Sequence, residues 1–154
     1  VFAEMEHRYP VDFWGILEYP RGFAGSEMEK LYIDAHIQSY FFVAEQSLAS
    51  SPVFAEFWNR VGYHSAIMGV IEHEETEMTK FFVDRGFAYD VFISESALIM
   101  KKTKYNAPYM HPRSLVLLNN PFVKKKTGLQ TFPDEKIMLE ETMRQIKAAT
   151  PANQ

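Results

Sequence analysis

The sequence contains no cysteine. That absence excludes a disulfide scaffold, a thiolate zinc site and a cysteine nucleophile, so any catalysis must rest on carboxylates, histidines, hydroxyls or lysines. No apolar run approaches the roughly 20 residues that cross a bilayer, and the opening Val-Phe-Ala-Glu-Met-Glu is not a secretory signal. A cytoplasmic protein is therefore expected. Internal repeats and low-complexity segments are absent too. Positive charge is not in excess: 16 Lys and Arg stand against 20 Asp and Glu, for a net charge of −4, which argues against a nucleic-acid partner. What is present is globular in character, with 154 residues, 47% of them hydrophobic and 15% aromatic. Residues 1–154 are expected to form a single domain or a fragment of one. The fragment reading comes from the start, which lacks a methionine and reads as mid-helix, with Phe2 and Met5 three apart.

The charge is unevenly placed. Glu72, Glu74, Glu75 and Glu77 crowd around His73, whereas Lys101, Lys102, Lys104, Arg113, Lys124, Lys125 and Lys126 form a stretch without an acidic residue.

Periodicity gives a coarse layout. Residues 11–16 read as a short apolar strand that Gly15 kinks, and residues 19–26 as a loop holding both proline and glycine. The best strand pattern spans residues 36–43, where Ile37, Phe41 and Val43 alternate with His36, Gln38 and Tyr40. Ser51-Pro52 caps and opens an amphipathic helix through about Val61, with Phe54, Phe57, Trp58 and Val61 on one face. A second helical stretch runs from Ser65 to Arg85, broken near His73, with Gly86 as its left-handed cap and residues 87–93 as a strand. Residues 111–118 suggest a short helix stopped by Asn119-Asn120-Pro121, and residues 133–148 a longer amphipathic one. Strands and helices in this order point to an α/β or α+β layered domain.

Three sets of residues have chemical potential. Glu75 lies three positions before Met78 and seven before Phe82, on the inward face of its helix, while Glu74, Glu77, Lys80 and Asp84 fall on or near the solvated side. An inward carboxylate in a first helical turn is held ionised yet shielded, as a general base requires; the alternative is a capping-box partner. A metal in this knot has little support, since His73-Glu74-Glu75 lacks the second histidine of a zincin helix. His36, Gln38 and Tyr40 either line a cleft or face water. Lys124, next to the Phe122 anchor, is placed to reach a phosphate, whereas Lys125 and Lys126 read as solvated charge.

Taken together, Asp12-Phe13-Trp14-Gly15-Ile16, His36-Ile37-Gln38-Ser39-Tyr40-Phe41, Phe54 to Trp58 with Val61, Val70-Ile71, Glu75, Met78-Thr79, Gly86-Phe87, Pro121-Phe122 and Lys124 resemble the rhamnan synthesis protein F family over about residues 1–126. The resemblance implies a bacterial glycosyltransferase of cell-surface polysaccharide assembly, of rhamnan or O-antigen type. The implied fold is a GT-A-like α/β/α sandwich of nucleotide-diphospho-sugar transferases, of which this chain is a C-terminal, acceptor-side part. It also implies a donor such as dTDP-rhamnose, a glycan or lipid-linked glycan acceptor, and a divalent metal, manganese or magnesium, whose main ligands lie upstream. The chain has no Asp-x-Asp.

Under the resemblance, Glu75 is the catalytic base of an inverting displacement, in a Tyr-Glu-x-x-Leu-Thr pattern that here carries Glu74 for tyrosine and Met78 for leucine. Glu74 is then expected to act on its neighbour as a like charge. Asp12, Trp14, His36, Gln38, Tyr40 and Lys124 are the implied substrate-binding residues. Trp14 and Tyr40 are candidates for stacking on sugar, with plain core packing the alternative for Trp14. His111 is a metal or diphosphate contact by analogy alone. Two further expectations are a catalytically silent carbohydrate-binding or assembly module, favoured by the missing Asp-x-Asp, and a peripheral contact of the lysine stretch with the inner face of the cytoplasmic membrane.

Overall fold

The computed structural model describes residues 1–8, 10–20, 22–24, 31–94, 112–123 and 133–149. They belong to two compact units, residues 2–95 and the residues from 96 onward.

The first unit is a mixed sheet with helices. Helix α1 (Phe2–His7) precedes the central strand β1 (Phe13–Tyr19). Strands β2 (Gly22–Ala24) and β3 (Leu31–Ile33) form a separate antiparallel pair, where a loop was expected around residue 22. Strands β4 (His36–Ile37) and β5 (Phe42–Ala44) follow, then helices α2 (Gln46–Ala49) and α3 (Pro52–Arg60). One helical run comes next, made of α4 (Ile67–Val70), a π-helical turn (Ile71–Glu75) and α5 (Thr76–Val83), before strand β6 (Tyr89–Ile93). Strand β1 pairs antiparallel with β4 and β5 and parallel with β6. The α/β class expected from the element order is therefore present.

The strand expected over residues 36–43 is two strands. Tyr19 pairs with His36 and Glu18 with Ile37, while Gly15 pairs with Phe42 and Phe13 with Ala44. Residues 38–41 thus run opposite residues 16–17 alone, and the excess leaves the ladder as a turn at Ser39 and Tyr40. An insertion of this kind bends the strand and resets its alternation. Ile37 accordingly joins the core with Phe42 and Ala44, instead of with Phe41 and Val43 as the simple alternation predicts.

Gly15 does not kink β1. A Cβ there would lie 2.2 Å from Ile37 Cγ2 and 3.1 Å from the Phe41 carbonyl oxygen, so glycine is what lets β4 and the turn approach β1.

Helix α3 forms as its sequence predicts: the Ser51 hydroxyl accepts from Phe54 N at 3.2 Å, and Pro52 occupies the first turn, where its missing N–H costs nothing. Phe57 is buried on the sheet side, whereas Trp58 and Val61 are exposed. At the end of α5, Gly86 has φ +89°, and the Phe87 amide returns to the Phe82 carbonyl at 3.1 Å, a Schellman closure. The core collects Phe13, Ile37, Leu48, Phe57, Met78, Phe81, Phe82 and Val91 between sheet and helices. Each such large side chain contributes about 1.5–3 kcal/mol when fully buried.

In the second unit, α6 (Pro112–Leu117) ends at Asn119, whose φ of 62° makes the left-handed stop. Helix α7 (Pro133–Ala149) packs on α6, Leu115 and Leu139 are buried, and Arg113 Nε donates to Thr142 Oγ1 at 3.1 Å. No helix among the described residues is long and apolar enough to cross a membrane.

Candidate functional site

Glu75 is the last residue of the π-helical turn. Sequence reasoning expects it in a first helical turn, but the backbone is already right-handed helical at Val70 (φ −63°, ψ −43°) and stays so at Glu75 (φ −64°, ψ −49°). The helix does not begin there, so neither a helix-start dipole nor a capping box holds this carboxylate. What the π turn provides is a local change of winding, and such turns recur where a helix must aim a particular side chain.

The groups around Glu75 come from the β4 edge. The Ser39 hydroxyl donates to Glu75 Oε2 at 2.8 Å. His36 Nε2 faces Glu75 Oε1 at 4.0 Å, with the His36 side chain 3% exposed and that of Glu75 22% exposed. His36 Nδ1 lies 2.9 Å from the Asp34 carbonyl oxygen, and the His36 ring stacks on Tyr19 with centroids 5.5 Å apart. A carbonyl oxygen only accepts, so Nδ1 carries the hydrogen and the neutral ring presents an Nε2 lone pair toward the carboxylate. Gln38 is buried, its backbone N–H donates to the Leu17 carbonyl at 2.9 Å, and its side-chain amide has no hydrogen bond among the described residues. A buried amide without partners among the described residues has two N–H donors and two acceptor lone pairs to offer a polar ligand.

One turn beyond Glu75, Thr79 fixes helix to strand: its Oγ1 accepts from Ile37 N at 2.9 Å in a fully buried bond. The result is one carboxylate, one imidazole with its Nδ1–H committed and one hydroxyl held between a helix and a bent strand. Such a group can take a proton from, and orient, a hydroxyl-rich ligand.

Glu74 differs from its expected solvated setting. Its Oε1 accepts from Gly62 N at 3.0 Å and lies 2.7 Å from His64 Nε2, and the hydrogen bond from His64, then that from Gly62, holds its carboxyl below the ordinary value. Its charge is therefore engaged by the loop before α4. His64 in turn stacks on His73, ring centroids 5.6 Å apart.

The remaining expected residues are placed elsewhere. Asp12 lies at the opposite end of β1 from His36, about 20 Å along a seven-residue strand. Both its carboxylate oxygens are used, Oδ1 by the Ser47 hydroxyl at 2.6 Å and Oδ2 by Ala88 N at 2.8 Å. Trp14 is 2% exposed, packs against Phe2 and Phe41, and donates its indole N–H to Glu45 Oε1 at 3.0 Å. That is the packing of a core residue. Tyr40 lies in the exposed turn after Ser39. Lys124 and His111, with most of the lysine stretch, lie outside the described residues.

Sequence reasoning overlooked Ser39, Thr79 and His64. Ser39 left a signal, since it puts a small polar residue at an apolar position of the Ile37-x-Phe41 alternation. The pairing of Thr79 with residue 37 and of His64 with Glu74 leaves no pattern in the chain, because each depends on where a helix docks.

Among the described residues no group of three His, Asp or Glu side chains is arranged to hold a metal ion. A search among curated proteins gives no match, and neither does a search among solved structures. A family model does match, that of rhamnan synthesis protein F, over residues 1–151. The chain belongs to the rhamnan synthesis protein F family, and so to rhamnan polysaccharide synthesis.

Proposed function

We propose that the protein is the acceptor-side part of an inverting hexosyltransferase that moves a sugar such as rhamnose from a nucleotide-diphosphate donor, of dTDP-rhamnose type, to a glycan or lipid-linked glycan acceptor. The observation that carries this reading is the partly exposed Glu75 carboxylate, fixed by Ser39 beside the buried His36. Glu75 takes the proton of an acceptor hydroxyl as that oxygen attacks the anomeric carbon. The bond from this carbon to the donor diphosphate breaks, and its electron pair leaves on the phosphate oxygen. His36 and Gln38 orient the sugar.

The fold we assign is GT-A-like, and the setting is the cytoplasmic side of the membrane. A manganese or magnesium ion, if the reaction uses one, would offset charge on the departing diphosphate, with its main ligands supplied from upstream of this chain. Rhamnose transfer from dTDP-rhamnose to a glycan acceptor tests the reading. Glu75→Gln should keep the fold and reduce kcat about 10²–10⁴-fold, the usual worth of a general base. Unchanged turnover in that variant removes Glu75 from the mechanism. Calorimetric titration with dTDP-rhamnose that gives no heat assigns the protein instead to a silent module, the reading that the missing Asp-x-Asp favours.

A further inference from the structure

The geometry points to His36 and Glu75 as one proton-holding pair, in which the proton taken from the acceptor hydroxyl is shared between Glu75 Oε1 and His36 Nε2. This rests on the proposed function and adds a second residue to its proton step.

The argument begins with the gap. Nε2 and Oε1 are 4.0 Å apart, too far for a hydrogen bond and too close for two electron-rich atoms to ignore each other. While His36 is neutral its Nδ1–H is committed to the Asp34 carbonyl, so a lone pair faces a carboxylate across that gap. One proton turns this opposition into an imidazolium–carboxylate ion pair, a short movement of either side chain apart. Oε2 accepts from Ser39, and Oε1 is the oxygen that faces the His36 ring.

Burial sharpens the effect. His36 is 2% exposed, so water supplies little of the stabilisation that an imidazolium requires, and the facing carboxylate must supply it. Among the described residues the stacked Tyr19 from β1 and the Asp34 carbonyl on its own segment also face the ring. Lys80 on α5 is held in its charged form first by Asp84, with a smaller attraction from Asp34, the residue two before His36. The next helical residue in contact with β4, Thr79, is neutral and bound to Ile37 N.

The step balances. The acceptor O–H bond breaks and its electron pair forms the new bond to the anomeric carbon. The bond to the departing nucleotide diphosphate takes its pair to a phosphate oxygen, and the proton comes to rest between Oε1 and Nε2. The pair, singly negative before the step, is neutral after it. By sharing the proton, His36 keeps it from returning to the acceptor oxygen.

Long-range ¹H–¹⁵N NMR of the histidine rings in the full chain tests the pair without any assay of transfer. Neutral His36 should show the Nδ1–H tautomer, and Glu75→Gln should change the ¹⁵N signal of His36 Nε2, the ring atom that faces the carboxylate. A neutral Nε2–H ring, or an Nε2 signal unchanged by Glu75→Gln, would overturn the proposal. The tautomer is read on the unmodified protein, so a poorly folding variant does not block the test. A pair that holds in NMR while Glu75→Gln transfers sugar normally refutes the catalytic reading alone. Loss of transfer in Glu75→Gln without coupling in NMR refutes the pair alone.

Discussion

Thr79 Oγ1 accepts the Ile37 amide hydrogen at 2.9 Å, and through this buried bond helix α5 completes what β4, only two residues long, leaves unpaired. Thr79 sits one turn after Glu75, so the same contact that satisfies Ile37 sets the distance from the carboxylate to His36 and Ser39. Thr79→Val keeps the shape and orphans the Ile37 N–H. Such an orphan costs about 1–3 kcal/mol. Urea unfolding should show that loss, with Thr79→Ser retaining most of the stability; equal losses in the two variants would contradict the assignment.

Gly15 predicts a steric effect at the same junction. The Cβ of Gly15→Ala would meet Ile37 Cγ2 at 2.2 Å, and forcing such an atom into a packed core typically costs about 1–3 kcal/mol. Ile37→Ala removes the obstructing atom. The melting temperature of the double variant should therefore lie above the value obtained by adding the two single losses, and strict additivity would show that the two positions are not in contact.

Glu74 predicts a pH dependence. Its carboxyl is held below the ordinary value of 4.5 by hydrogen bonds from His64 and Gly62, so folding favours its ionised form. The unfolded chain then binds the proton more readily, which makes the contribution fully present above pH 4.5 and lost as pH falls through the lower folded-state value. The stability gap between wild type and Glu74→Gln, from urea titrations at successive pH values, should be steady above pH 4.5 and shrink below it. A gap that widens on acidification would reverse the sign and defeat the argument.

Arg8 predicts a difference between two cations. Its guanidinium donates to the Val91 and Phe92 carbonyls at 2.9 and 3.0 Å, and reaches Asp90 at 3.3 Å and Glu4 at 3.0 Å. An ammonium carries the same charge without the planar fork, so Arg8→Lys should lose about 1–3 kcal/mol as the partly buried carbonyls lose donors. Full stability in Arg8→Lys, measured by thermal unfolding, would show that charge alone matters.

Much of the local structure was legible because it is written in short-range chemistry. Ser51-Pro52 opens a helix through a hydroxyl and a fixed φ, and Gly86 closes one because only a residue without Cβ adopts φ +89° at no cost. The spacing of Glu75, Met78 and Phe82 correctly placed the last two in the core. The setting of Glu75 was less legible, since a π turn shifts every later residue of the helix by a step that a 3.6-residue period does not contain.

The sequence by itself determined the α/β class, the helix boundaries at Ser51 and Gly86, the exclusion of thiol chemistry, and a family resemblance that the family model extends to residues 1–151. Tertiary structure decided which polar residues meet. A two-residue excess in the edge strand swings Ser39 out of the ladder and onto Glu75, and the docking of α5 brings the carboxylate to His36. Residues 36 and 75 are joined by no periodicity in the chain. Their proximity follows from the energy of burying Phe81 and Phe82 against the sheet, which fixes the helix and with it everything on its inner face.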